Sequence, residues 1–186
     1  MPAGRFAKYE SDRAHMTMPN RWLRLLKHRG LDESDAARLL GADALARLQT
    51  RVSASEKRHS GEIRVCVEAG LPLSYLWRGA LARERAVAMF GKLGVWDTEH
   101  NNGVLIYLLL AERAIEIVAD RGLALHVDAA EWQRITATMQ AAFQAGTFEA
   151  GLNQASDSVG ALLVQHFPLT AGETNPNELP DTPYLD

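Results

Sequence analysis

The segment Trp96-Asp97-Thr98-Glu99-His100-Asn101-Asn102-Gly103 places two carboxylates, an imidazole and two amides on a connector that runs straight into an apolar strand. Asp97, Glu99 and Asn101 alternate, as the hard oxygen ligands of a calcium loop do. Counting from Asp97, however, the glycine of an EF-hand falls one place late, at Gly103, and the position of its bidentate glutamate is Leu108. An EF-hand is thereby excluded. What remains is a looser calcium or magnesium site drawing on Asp97, Glu99, Asp120 and Asp128. The structural alternative has Asp97, Thr98 and the two asparagines capping chain ends and completing a turn.

A second polar segment, Asp120-Arg121-Gly122, is followed by His126 and Asp128. A carboxylate, a guanidinium and an imidazole at this spacing could bind a phosphate or orient a hydrolytic water, with Asn101, Asn102, Asp120 and Arg121 as the ligand-binding set. Against this stands an ordinary ion pair of Asp120 with Arg121 or Arg113, and a helix N-cap at Asp128 with Glu131 three residues on. Other chemistries find no footing. The sequence contains no HExxH, CxxC, GxSxG or phosphate-binding Gly-rich loop. The single cysteine, Cys66, sits in the strand-like run Ile63-Arg64-Val65-Cys66-Val67 and reads as a buried core thiol.

The elements that must position these loops follow from periodicity. Residues 1–18 lack it and read as a loose arm. Pro19 opens a short basic amphipathic helix ending at Gly30, expected to dock Trp22, Leu25 and Leu26 on the domain. Asp32 or Ser34 can cap a next helix ending near Leu40, and Asp43 a third carrying Leu45, Leu48 and Val52. Glu62–Glu68 alternates as a strand with one apolar face. One long helix is expected from Pro72 to Leu93. Val104–Leu110 is apolar on both faces, as in a central strand covered on both sides. A tight turn at Ala111–Arg113 leads to Ala114–Ala119, favouring an antiparallel hairpin. Two helices follow, with apolar stripes Trp132-Ile135-Met139-Phe143 and Phe148-Leu152-Ala155-Val159-Leu163, and Pro168 stops the second. The tail from Thr170 reads as an irregular acidic extension.

The predicted fold is a three-layer α/β/α sandwich with a small mixed sheet, preceded by short N-terminal helices. Its boundaries are an arm at 1–18, a helical lead-in at 19–44, the α/β domain at 45–167 and a Pro-rich tail at 168–186. The 186 residues suffice for one core, and 20 basic against 23 acidic residues, net −3, provide no basic field for nucleic acid. The longest apolar run is far short of the ~20 residues a membrane helix needs. A cytoplasmic chain without direct membrane insertion is expected.

Gly61-Glu62-Ile63-Arg64-Val65, Asn102-Gly103-Val104-Leu105-Ile106, Ile115-Glu116-Ile117-Val118 and Gly146-Thr147-Phe148-Glu149-Ala150-Gly151 together resemble the TPM domain family over about residues 45 to 167. The resemblance implies an α/β/α sandwich, divalent-metal binding as in some relatives, and either complex maintenance or receptor modulation, or acid phosphatase activity as in some plant members. The family's loop after its third strand usually reads like Gly-Tyr-Gly-Leu-Glu, and this chain has Ala119-Asp120-Arg121-Gly122-Leu123 there. The leading expectation is a non-enzymatic TPM-like module acting through a protein partner, itself membrane-associated in one version. The alternative is a metal-dependent hydrolase of phosphate monoesters in which Arg121 stabilises the developing charge.

Overall fold

The computed structural model describes residues 18–31, 33–170 and 172–186. In chain order it comprises α1 (Met18–Arg29), α2 (Glu33–Leu40), α3 (Ala42–Glu56), β1 (Ile63–Glu68), α4 (Leu73–Trp77), α5 (Ala82–Lys92), β2 (Val104–Leu109), β3 (Ala114–Ala119), α6 (Arg121–Ala124), α7 (Ala129–Gln144), α8 (Phe148–His166) and β4 (Tyr184–Leu185). The sheet order is β3-β2-β1-β4, with β1 parallel to β2 and β4, and β2 antiparallel to β3. It is the mixed sheet of an α/β/α sandwich.

Alternation along the strands divides the core in two. Ile63, Val65 and Val67 of β1 and Val104, Ile106 and Leu108 of β2 face one layer, where Val52 of α3, Met139 and Phe143 of α7, and Leu152, Val159 and Leu163 of α8 are buried. Cys66, Leu105, Tyr107 and Leu109 face the other, against Leu76 of α4 and Ala86 and Met89 of α5. Every residue of β2 is buried, as expected for a central strand. Each large apolar side chain so buried contributes about 1.5–3 kcal/mol, which is why two helical layers close on a sheet this small.

The second face of β1 holds charge where the sequence suggested only a polar side. Glu68 is buried and receives the Arg85 guanidinium bidentately and the Tyr107 hydroxyl at 2.6 Å. Arg85 of α5 and Tyr107 of β2 hold this carboxylate, and all six residues of β1 are buried, so the strand is covered on both faces.

Several expectations are corrected. The segment 73–93 forms two helices, because Gly79 adopts a left-handed φ of 67° and Ala80 N–H closes onto Tyr75 O at 2.9 Å, ending α4. α5 then restarts at Leu81, whose N–H donates to the Glu84 carboxylate at 3.3 Å. Gly41, not Asp43, is the N-cap of α3, and Asp43 lies in its first turn, where its charge still suits the helix dipole. Ser34 lies inside α2. The tail is no appendage: Leu179 is buried, Arg64 donates to the Pro180 and Thr182 carbonyls, and Tyr184–Leu185 pairs with Cys66–Val67 as an edge strand. Trp22 and Leu26 do not dock on the domain; they are 67% and 68% exposed. The arm expected over residues 1–18 falls, up to residue 17, outside the described residues, as does the cap expected at Asp32. Met18 already begins α1.

Candidate functional site

Parallel β1 and β2 start at the same end of the sheet, and antiparallel β3 finishes there. That topology alone brings Ser60 to Glu62, the Trp96–Gly103 loop and Asp120-Arg121-Gly122 to one edge. Two glycines let the loops approach. A Cβ on Gly103 would lie 2.0 Å from Val95 O, and one on Gly122 would lie 2.5 and 2.6 Å from the carbonyl oxygens of Asn101 and His100.

The junction is made by the amides and the backbone. Gly122 N–H donates to Asn101 O at 2.8 Å, Asp120 N–H to Gly103 O at 2.9 Å, and Arg121 Nε to Asn101 Oδ1 at 3.1 Å. Asn101 takes a left-handed φ of 53°, which its short polar side chain tolerates. Asp120 caps α6, accepting from Arg121 N–H at 2.6 Å rather than from a guanidinium, and Asp128 caps α7, accepting from Glu131 N–H at 2.8 Å. Asn102 is fully buried: its N–H donates to Thr98 Oγ1 at 3.1 Å and its amide to Ser60 Oγ at 3.2 Å. Asp97 is exposed, and its N–H closes a turn onto Gly94 O at 2.9 Å.

Glu99 faces the tail instead of the Asp120 loop. Its N–H donates to the Glu178 carboxylate at 3.1 Å. With His100, Ser60, Phe167, Glu173 and Glu178 it lines a cleft of about 620 Å³. The far wall is fixed to the lead-in of β1 by Ser60 N–H to Phe167 O at 3.0 Å and by Leu169 N–H to Arg58 O at 3.3 Å. At its edge the His126 and His166 rings stack with centroids 5.1 Å apart.

Behind the cleft lies a buried polar layer that period-two charge in Glu62, Arg64 and Glu68 hints at but that needs the tail to be complete. Ile63 N–H donates to Glu56 Oε1 at 2.9 Å, and burial, reinforced by Glu62 and Asp181, pushes the Glu56 carboxyl up to about 9. Burial likewise raises Glu62, whose carboxylate takes Leu179 N–H at 3.3 Å. His59, fully buried, is held down to about 4 by the same desolvation. Its Nδ1 meets Gly61 O at 3.0 Å and its Nε2 meets Ser55 Oγ at 3.0 Å. Since a carbonyl can only accept, the neutral ring carries its proton on Nδ1 and accepts from the serine. Asn175 donates to the carbonyls of His59 and Gly61 at 3.3 and 3.4 Å. Cys66 is buried and its thiol is pushed far up, first by desolvation and then by Glu68.

The four carboxylates considered as a metal cage do not assemble into one. Among the described residues no three His, Cys, Asp or Glu side chains are grouped so as to hold an ion. Two buried oxygens at this edge, Asn102 Oδ1 and Asp120 Oδ2, have no hydrogen-bond partner among the described residues. Asn101 and Arg121 are brought together; Asp128, used in its own cap, is not joined to them. Glu173, Glu178 and Asn175 lie in a stretch whose composition suggested only an irregular extension, and no local signal marks them as part of this edge.

A family model described as the TPM domain matches residues 34–162. The BA42 protein from the psychrophilic bacterium Bizionia argentinensis is similar in structure, with 28% identity and a TM-score of 0.68 over 77% of this chain and 93% of that one. The N-terminal domain of a protein from P. gingivalis shares the fold at 21% identity, with a TM-score of 0.59 over 72% of this chain and 84% of that one. No curated protein matches. With two-thirds of its length and its sheet edge accounted for by that match, the chain belongs to the TPM domain family.

Proposed function

We propose that this TPM domain is a non-enzymatic binding module whose strand-end cleft receives a protein partner through a basic segment. One observation carries the reading. Asp120, Arg121, Asn101 and Asp128 are tied to one another or to backbone, and Glu99, Glu173 and Glu178 stand exposed together on the rim of an open cleft, the last two held by the Thr170 and Glu99 N–H groups. The first group gives the edge a fixed shape, and the second gives it a negative rim that steers and registers a cationic partner. The partner is itself membrane-associated in the version of the reading that the family resemblance favours.

Calcium or magnesium has an accessory place in this reading. With no three His, Cys, Asp or Glu side chains placed to hold an ion among the described residues, affinity is weak, in the range of about 10⁻³ M seen where ligand charge is low. The phosphate monoester hydrolase has less to stand on, since Arg121, which would stabilise its developing charge, is exposed and engaged with Asn101, and Asp120 with its helix.

Calorimetry with calcium and magnesium, run beside a phosphate ester assay, tests the reading. Weak metal binding without turnover is expected. Saturable turnover that disappears in Asp120→Ala would replace the module by the hydrolase.

A further inference from the structure

α1 is seated with its polar side inward. Arg24 Nε meets Glu112 at 2.6 Å and its Nη2 donates to Ala80 O at 2.6 Å; His28 Nε2 meets the same Glu112 oxygen at 3.0 Å and its Nδ1 accepts from Leu71 N–H at 2.9 Å. The fit is close, since a Cβ on Gly70 would lie 2.7 Å from His28 O. The apolar side is turned out. Trp22, Leu23 and Leu26 are 67%, 65% and 68% exposed, and of the apolar side chains described in this helix only Leu25 packs against the core.

At about 100° per residue, Trp22, Leu26 and Leu23 share one arc of about 100°, bordered by Arg29 on one side and Lys27 on the other. Both cations are exposed. α4, which packs beside α1, extends the surface with Leu73 and Trp77, 55% and 74% exposed; Arg78 beyond it is already paired with Glu84 at 3.4 Å, so Lys27 and Arg29 supply the cationic border. The rest of the chain is acidic enough to leave a net charge of −3, so this cationic border is local.

We propose that the outer face of α1 and α4 docks the domain on an anionic lipid surface. Indole rings and leucines settle at the boundary between headgroups and acyl chains, while flanking lysine and arginine remain at the depth of lipid phosphates. This is an in-plane attachment. No helix among the described residues is long and apolar enough to cross a membrane. A second copy of the chain is the poorer occupant, because a two-fold contact would set the cationic borders of both copies against each other. The proposal stands on residues remote in sequence from the strand-end loops and does not depend on their function.

Flotation of the full chain with phosphatidylcholine vesicles, with and without phosphatidylglycerol, tests it. The chain is expected to float with the anionic vesicles alone, with a blue shift of tryptophan emission, and to be released by salt. Lys27→Ala is expected to weaken binding about fivefold, the effect of one cation at such a surface, and Trp22→Ser with Leu26→Ser to abolish it. Because all three side chains are exposed, the variants keep the melting temperature of the parent; a large drop would mean that the face is packed, against the proposal. Absence of flotation by the parent, or flotation unaffected by Trp22→Ser with Leu26→Ser, overturns it. So does a dimer, or a stoichiometric protein complex, that those substitutions dissolve while flotation persists.

Discussion

Replacing Gly122 by alanine tests whether the two strand-end loops hold each other. Within a helix such a change ordinarily stabilises, by about 0.5–1 kcal/mol, through backbone entropy. At Gly122 the new Cβ would lie 2.5 Å from Asn101 O and 2.6 Å from His100 O, and both obstacles are backbone. They cannot swing aside, since Asn101 O accepts from Gly122 N–H and Asn101 Oδ1 from Arg121. Overpacking of this kind costs about 1–3 kcal/mol, which exceeds the helical gain, so the variant should lose about 1–2 kcal/mol. For a chain of this size that is a fall of about 2–8 °C in melting temperature. Urea unfolding with an unchanged m-value measures it. Gly91→Ala in α5, where nothing lies within 4 Å of the added Cβ, serves as the opposite control and should gain stability. A Gly122→Ala protein as stable as the parent, with Gly91→Ala behaving as stated, would refute the close approach of the loops.

Three further outcomes follow from the buried groups and caps. Burial holds the Glu56 carboxyl up to about 9 in the folded chain, so its contribution is complete below about 4.5 and is lost as pH rises through 9; Glu56→Gln should flatten that alkaline loss in melts recorded across the range. Cys66, buried and with its thiol pushed up, should resist Ellman's reagent in native protein and react on unfolding; a native half-time matching that of the denatured chain would contradict its place in the core. Asp128→Ala should cost about 0.5–2 kcal/mol through the lost cap of α7 without altering calcium affinity, since the carboxylate serves Glu131 N–H. A selective loss of calcium binding would return Asp128 to the site.

Local signals were enough for much of this architecture. The two-sided apolarity of Val104–Leu109 predicted a covered central strand, the spacing of Asp128 and Glu131 predicted a cap, and Pro168 predicted the end of α8, and each is found. The break at Gly79 depended on a left-handed backbone that one glycine among many does not announce. The tail carries no local strand signal because β4 is two residues long and holds its place by pairing with β1, a contact more than a hundred residues away in sequence. Composition singles out both strand-end loops and the topology makes them neighbours, but it is their amides and glycines that join them, where composition points to the carboxylates. Asn101, Gly103 and Gly122 make the junction; Glu99 turns to a glutamate, Glu178, that composition gave no reason to single out. Nor could helical periodicity say which side of α1 faces inward. Arg24 and His28 win that choice because Glu112, far along the chain, awaits them.

The central claim is that the strand-end cleft receives a basic segment of a partner protein. Its most direct test is site-specific photo-crosslinking in the native cell, with the crosslinker at His100 on the cleft rim and, separately, at Gln140 on the exposed side of α7. One discrete adduct from position 100, lost when Glu99 and Glu178 are both changed to lysine and absent from position 140, is the predicted result. No adduct from position 100, or the same adducts from both positions, would contradict it.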